Sequence, residues 1–149
     1  TSTTTDGSYP ALLPRPIESR DDAEPARPDP VAIPDSTLDA RISQRREAAA
    51  AAAKRFQTAI SIAESRVAVA RGAPVGSEAW VAAQTALADL DAIRGETVQL
   101  VTDLEEEASA RALAGSPAYP ALNAAIDAIA HQALTQADRA KTLEGALAG

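Results

Sequence analysis

The chain offers few of the side chains from which catalytic sites are built. His131 is its single histidine, and cysteine is absent from all 149 residues. Without a second histidine or a thiol, the familiar metal-ligand pairs and cysteine nucleophiles are excluded, and no serine has a partnered histidine. His131 lies two residues past Ile129 and off the apolar stripe of its helix, so we interpret it as a surface imidazole. We therefore predict no catalytic residue, no enzyme activity and no cofactor.

A stretch rich in carboxylates, Asp103 to Glu107, raises the alternative of a cation site. Consecutive helical positions point in different directions, so these side chains cannot converge on one ion. Glu78 and Asp39 fall in predicted first turns, where the helix dipole favours acidic side chains. We predict no metal site and interpret these carboxylates as structural.

Charge and hydropathy narrow the range of partners. The formal net charge is −7 and the isoelectric point is about 4.7. Phosphate backbones and anionic membrane surfaces both require clustered Lys and Arg, so a nucleic-acid partner is not expected. No uninterrupted apolar stretch approaches the roughly 18 residues of a membrane span. A protein partner or self-association remains the expectation.

Residues 1–35 differ from the rest of the chain because they hold seven of its ten prolines. Proline removes a backbone donor and disfavours helix at the preceding residue, so we predict a disordered, proline-rich arm. Its most apolar part runs from Tyr9 to Ile17. Within it, Tyr9, Leu12 and Leu13 are candidate partner contacts, and the alternative is that the arm is a simple tether.

Alanine-rich, amphipathic sequence begins after the arm. Ser36 is the predicted N-cap of the first helix, with Asp39 three residues later. Apolar and small residues then recur every three or four positions, which predicts a helix over residues 36–71 with an apolar stripe near coiled-coil period. Arg45 interrupts this stripe, whose other members are Leu38, Ile42, Ala49, Ala52, Phe56, Ile60, Ala63, Val67 and Ala70.

Two turns divide the remaining sequence. Gly72 and Pro74 end the first helix, and Ser77 is a suitable cap for a second helix over residues 77–113. Gly95 lies inside that helix, either at a cost in stability or to let a neighbouring backbone approach. A second turn at residues 114–120 precedes a third helix over residues 119–147, which settles from Pro120 onward.

Trp80 lies in the first turn of the predicted second helix and is the only tryptophan in the sequence. We expect it to pack in the core or to cover the end of the bundle near Leu147. The alternative is an exposed anchor for a partner, so Trp80 joins the candidate partner contacts.

Short turns favour antiparallel neighbours, so the sequence predicts an all-α, up-down-up three-helix bundle over residues 36–149. Folding the first helix on the second places basic residues level with the acidic stretch 103–107: Arg41, Arg45 and Arg46. Folding the second helix on the third places Asp89 and Asp91 level with Arg139 and Lys141, and Arg94 level with Asp138.

Two stretches resemble known sequences: Gly72-Ala73-Pro74-Val75-Gly76-Ser77-Glu78-Ala79-Trp80, continuing to Leu87, and Tyr9-Pro10-Ala11-Leu12-Leu13-Pro14-Arg15-Pro16. They are similar to small exported helical proteins of unknown function from alphaproteobacteria. The resemblance implies the periplasm or cell envelope, including lipoproteins, and implies no binding residues. A first residue Thr1 in place of methionine fits removal of a signal peptide, and a lipidated cysteine upstream would provide a membrane tether. The alternative is removal of an initiator methionine alone.

These observations favour a non-enzymatic, exported helical bundle that acts as a structural or protein–protein interaction module and is tethered by its arm. The alternative hypothesis is a periplasmic, holdase-like chaperone that binds unfolded clients. Such a chaperone is expected to expose apolar side chains at a cavity or at splayed helix ends.

Overall fold

The computed structural model describes residues 24–149, in which three long helices pack against each other as a bundle. Residues 24–35, the last part of the predicted arm, form neither helix nor strand and lead directly into the first helix. The remainder of the predicted arm lies outside the described residues.

Helix α1 spans Ser36–Ala70, and its N-cap is Asp35. The Oδ1 atom of Asp35 accepts a hydrogen bond from the backbone N–H of Leu38 at 3.0 Å. The prediction that Ser36 is the cap is therefore wrong by one residue. Asp35 is held in an extended conformation outside the helix, where its own N–H donates to the hydroxyl of Tyr119 at 3.2 Å. Asp35 and Ser36 both have side chains that can cap a helix, and the hydrogen bond to Tyr119 holds Asp35 in the capping position.

Glycine shapes the connection between α1 and α2. Gly72 has a φ of +73°, and the N–H of Ala73 donates to the carbonyl of Ala70, which closes a tight turn whose third residue needs a positive φ. Helix α2 spans Glu78–Leu113 and is capped by Ser77, whose Oγ accepts from the N–H of Trp80 at 3.3 Å. The predicted turn and cap are confirmed.

The second connection is equally compact. The N–H of Ser116 donates to the carbonyl of Arg111, and the N–H of Gly115 donates to that of Ala112, both at 3.0 Å. With Gly115 at a φ of +74°, this is a Schellman C-cap. Helix α3 spans Pro120–Ala148, and Pro120 occupies its first turn as predicted, because a proline there loses no helical hydrogen bond.

The apolar stripe of α1 is buried along its full length. The nine small or apolar members named from the sequence are the nine buried residues of the helix, while the interrupting Arg45 side chain is 44% exposed. Helices α2 and α3 contribute shorter sets of buried side chains, which are Ala83, Ala86, Leu87, Leu90, Thr97 and Leu104 from α2, and Leu122, Ala125, Ile129, Gln136 and Ala140 from α3.

The buried apolar side chains form two clusters, one toward each end of the bundle. The cluster at the end that carries the α1–α2 turn, here the α1–α2 end, centres on Phe56, Ile60, Val67, Leu87 and Leu90. The cluster at the opposite, α2–α3 end centres on Leu38, Ile42, Leu104, Leu122 and Ile129. Of the buried residues that the structure describes, three belong to neither cluster and form a middle layer: Ala52, Thr97 and Gln136.

Ion pairs confirm the antiparallel register of α1 and α2. Arg41 contacts Glu107 at 2.6 Å, and Arg45 contacts Asp103 at 3.2 Å, as the sequence predicted. A third pair, between Arg55 and Glu96, extends the same register toward the middle of the bundle. Exposed pairs of this kind tune register and add little stability.

The charged residues of α2 and α3 that the sequence places level with each other do not form ion pairs with one another among the described residues. Arg94 contacts Asp91 of its own helix at 2.6 Å, and Arg139 contacts Glu64 of α1 at 3.6 Å. The cause is the triangular arrangement, in which α3 packs against both other helices. A residue of α3 that is level with an acidic group of α2 can therefore face α1 instead.

Gly95 is exposed, and apart from its own stretch of helix no atom of the described residues lies within 4 Å of the position that a Cβ would occupy. The alternative that it permits close helix approach is therefore wrong. We predict that Gly95→Ala raises the free energy of unfolding by about 0.5–1 kcal/mol, because alanine restricts the unfolded chain and favours helix. Urea denaturation measures the change.

The matched control is Gly72→Ala. Since Gly72 adopts a positive φ, alanine there should lower the free energy of unfolding by about 1–2 kcal/mol. Equal effects of the two substitutions would contradict the described turn.

Candidate functional site

A surface groove opens between the start of α2 and the end of α3, at the α1–α2 end. Its volume is about 500 Å³, and Trp80, Leu87 and Leu147 form its apolar floor, with Val75 of the turn beside them. Leu87 is buried, whereas Trp80 and Leu147 are half-buried. Trp80 thus lies at the end of the bundle with Leu147, as expected from the sequence. We call this feature the end groove.

Of the residues that the structure describes, the ionisable ones that line the end groove are both acidic: Asp91 and Glu144. The Oδ1 atom of Asp91 accepts hydrogen bonds from Nε and Nη2 of Arg94, at 3.0 and 2.6 Å, so its charge is partly balanced. Glu144 is exposed and makes no ion pair with the residues that the structure describes. The groove therefore combines an apolar floor with negative charge on its rim.

Four exposed aliphatic side chains surround the same end of the molecule. Ile62 and Val69 lie seven residues apart on one face of α1, Val75 lies in the turn and Val81 in the first turn of α2. Their exposed fractions are 51%, 72%, 81% and 49%. We call these four residues the aliphatic set. Ile33 and Leu113 are also exposed, at 83% and 91%, toward the opposite end, but at the α1–α2 end Val75 borders the end groove. Exposed apolar surface beside a groove is typical of an interaction site.

Tyr119 closes the opposite, α2–α3 end. Its ring is buried, and its hydroxyl donates to Oδ1 of Asp39 at 2.6 Å while accepting from the N–H of Asp35. The guanidinium carbon of Arg111 lies 5.0 Å from the ring centroid, within cation–π range. These contacts join the starts of α1 and α3 to the end of α2.

The hydrogen bond to Asp39 raises the pKa of Tyr119, because it stabilises the protonated phenol next to a carboxylate. Sequence reasoning missed this role and placed Tyr119 in a loose turn. The partners lie 80 and 84 residues away along the chain, so no local pattern could reveal them.

A polar side chain is buried in the middle layer. Gln136 is 3% exposed, and neither its amide nitrogen nor its amide oxygen has a hydrogen-bond partner among the described residues. Neighbouring polar side chains do have hydrogen-bond partners. Gln132 Nε2 donates to the carbonyl of Ala49 at 2.9 Å, and Thr97 Oγ1 donates to the carbonyl of Ile93 at 3.3 Å. The amide of Gln136 therefore interrupts the apolar core at a cost in stability.

The residues considered for chemistry remain dispersed. His131 is exposed on α3, in agreement with its interpretation as a surface imidazole. Asp103 and Glu107 face α1 in ion pairs, whereas Glu105 and Glu106 are exposed, so the acidic stretch does not converge. Within residues 24–149, no three His, Cys, Asp or Glu side chains are grouped to hold a metal ion. None of the described helices combines the length and hydropathy needed to cross a membrane.

Of the predicted partner contacts, the structure locates Trp80, in the end groove. Tyr9, Leu12 and Leu13 lie outside the described residues. The groove rim, with Asp91 and Glu144, was not anticipated from the sequence. Comparison with protein-family models, curated proteins and solved structures finds no significant match.

We predict that Tyr119→Phe lowers the stability of the bundle at neutral pH, because Asp39 and the N–H of Asp35 each lose a partner. The folded-state pKa lies above the ordinary value near 10, so the bond contributes stability below that pH. The contribution is lost as the pH rises through the folded-state pKa. The difference between wild type and Tyr119→Phe should therefore shrink above about pH 10, as followed by urea unfolding. A difference that stays constant with pH would contradict this role.

We predict that Gln136→Leu raises the free energy of unfolding by about 1–3 kcal/mol, because it removes a buried amide without partners and joins the two apolar clusters. Chemical denaturation provides the measurement. The matched control is Gln132→Leu, four residues earlier, which should destabilise the protein because it removes the hydrogen bond from α3 to the carbonyl of Ala49 on α1. Destabilisation by Gln136→Leu would show that the amide has a partner in solution.

Proposed function

We propose that this chain is a non-enzymatic helical module that acts by binding another protein through the α1–α2 end. The observation that carries the proposal is the aliphatic set, in which Val69 and Val75 are 72% and 81% exposed. Water contact with these side chains is unfavourable, and covering them with a partner releases that cost. Their position around a short, capped turn gives the partner a preorganised surface.

The setting we propose is the periplasm or cell envelope, with the proline-rich arm as a tether. This part of the proposal is supported by the resemblance of the arm and the first turn to small exported helical proteins. A lipidated cysteine upstream of Thr1 would anchor the arm in a membrane, and the bundle would then present its partner surface at a distance set by the arm.

One observation favours the alternative, a holdase-like chaperone. Val75 lies exposed in the turn itself, where an unfolded client could reach it. A suppression assay with an aggregating model client separates the two functions. Suppression by the wild-type chain that is lost in Val75→Ser would support the chaperone, whereas a specific module gives no suppression.

Photo-crosslinking in cells of the source organism tests the proposal. A photoreactive amino acid at Val69 should give a discrete adduct with one protein, because Val69 belongs to the aliphatic set. The matched control is the same amino acid at Leu134, which is 66% exposed on α3 and lies outside the set. Adducts that are absent at both positions, or identical at both, would contradict binding through the α1–α2 end. An adduct with a second copy of the chain would identify self-association.

A further inference from the structure

We infer that the end groove receives a basic, amphipathic segment of the partner, which inserts a large apolar side chain beside a lysine or arginine. The inference rests on the proposed function and specifies the chemistry of its partner. It depends on three features of the groove: its floor, its rim and the charge of the whole chain.

The floor of the groove suits a large apolar side chain. Trp80, Leu87 and Leu147 enclose a volume of about 500 Å³, within the range of pockets that bind small groups. Tryptophan is enriched among residues that dominate binding energy, because it offers a wide apolar face and a polar edge. Trp80 is half-buried, so its ring is already fixed by packing while part of it remains open to a partner.

The rim of the groove selects positive charge. Asp91 and Glu144 come from different helices, α2 and α3, and both border the same apolar floor. Arg94 already neutralises part of the charge of Asp91. The carboxylate of Glu144 remains available, so a lysine or arginine of the partner can form an ion pair with it beside the apolar floor. Pairs at the edge of a desolvated surface add specificity and faster association.

The charge of the chain argues against a second copy as the occupant. A two-fold dimer that joined the two end grooves would bring Asp91 and Glu144 against their own equivalents. Two chains that each carry a net charge of −7 also repel at long range. A partner with local positive charge avoids both costs.

Trp80 provides the readout, because it is the only tryptophan in the chain. The full chain is titrated with two synthetic helical peptides of about twelve residues, which share an apolar face of leucines and carry either lysine or glutamate at the flanking positions. The lysine peptide should shift the Trp80 emission to shorter wavelength, with an affinity that falls as salt is added. The glutamate peptide should leave the emission unchanged. Equal binding of the two peptides, or no binding of either, would overturn the inference.

Two charge reversals locate the effect. Glu144→Lys should weaken binding of the lysine peptide by about fivefold, as expected for loss of one rim pair. Glu106→Lys is the matched control, since Glu106 is exposed on α2 near the α2–α3 end, and it should leave the affinity unchanged. An unchanged affinity in Glu144→Lys would overturn the inference. A crosslinked partner at Val69 would in that case still support the proposed function, so the two failures are distinguishable.

Discussion

Close approach of three long helices is the constraint on which the rest of this structure depends. Much of the buried stripe is alanine, with Ala63, Ala83 and Ala125 fully buried at the helix contacts. An alanine side chain removes little apolar area from water, so each contact stabilises the bundle only slightly. The small stabilisation from each alanine contact is offset by the number of contacts, since a helix of 35 residues extends over roughly 50 Å. Closely packed helices also add dispersion contacts along that length.

The larger buried side chains fall in two clusters, one on each side of the middle layer. Aromatic residues are scarce, and the structure places Phe56 in one cluster and Tyr119 in the other, with the middle layer between them. The α2–α3 end is closed because Tyr119 finds hydrogen-bond partners on α1 and a cation on α2. Among the described residues, the α1–α2 end has no comparable hydrogen-bonded closure, and there Trp80 and the aliphatic set stay partly in contact with solvent. The two ends therefore differ in packing.

The sequence predicted the fold to within one or two residues at the helix boundaries, because the relevant signals are local. The buried stripe of α1 follows from its three- and four-residue spacing, and both turns follow from glycine and proline. Features that depend on contacts between distant residues could not be predicted from the sequence. The N-cap is Asp35 instead of Ser36, and Tyr119 closes one end, because of hydrogen bonds between residues 80 and 84 positions apart in the chain. The ion pair of Arg139 with Glu64 could not be predicted, because spacing fixes a residue's level along the bundle but not which of two neighbours it faces.

Enlarging a single buried alanine tests the close approach most directly. Ala63→Leu should lower the free energy of unfolding by about 1–3 kcal/mol, because α1 has no room for the added atoms where Ala63 is fully buried. Ala68→Leu, on the exposed face of the same helix, should leave that free energy nearly unchanged. Urea denaturation of the two variants measures the difference. A gain in stability from Ala63→Leu would contradict the account, because it would show that the helices stand far enough apart to leave the stripe unfilled.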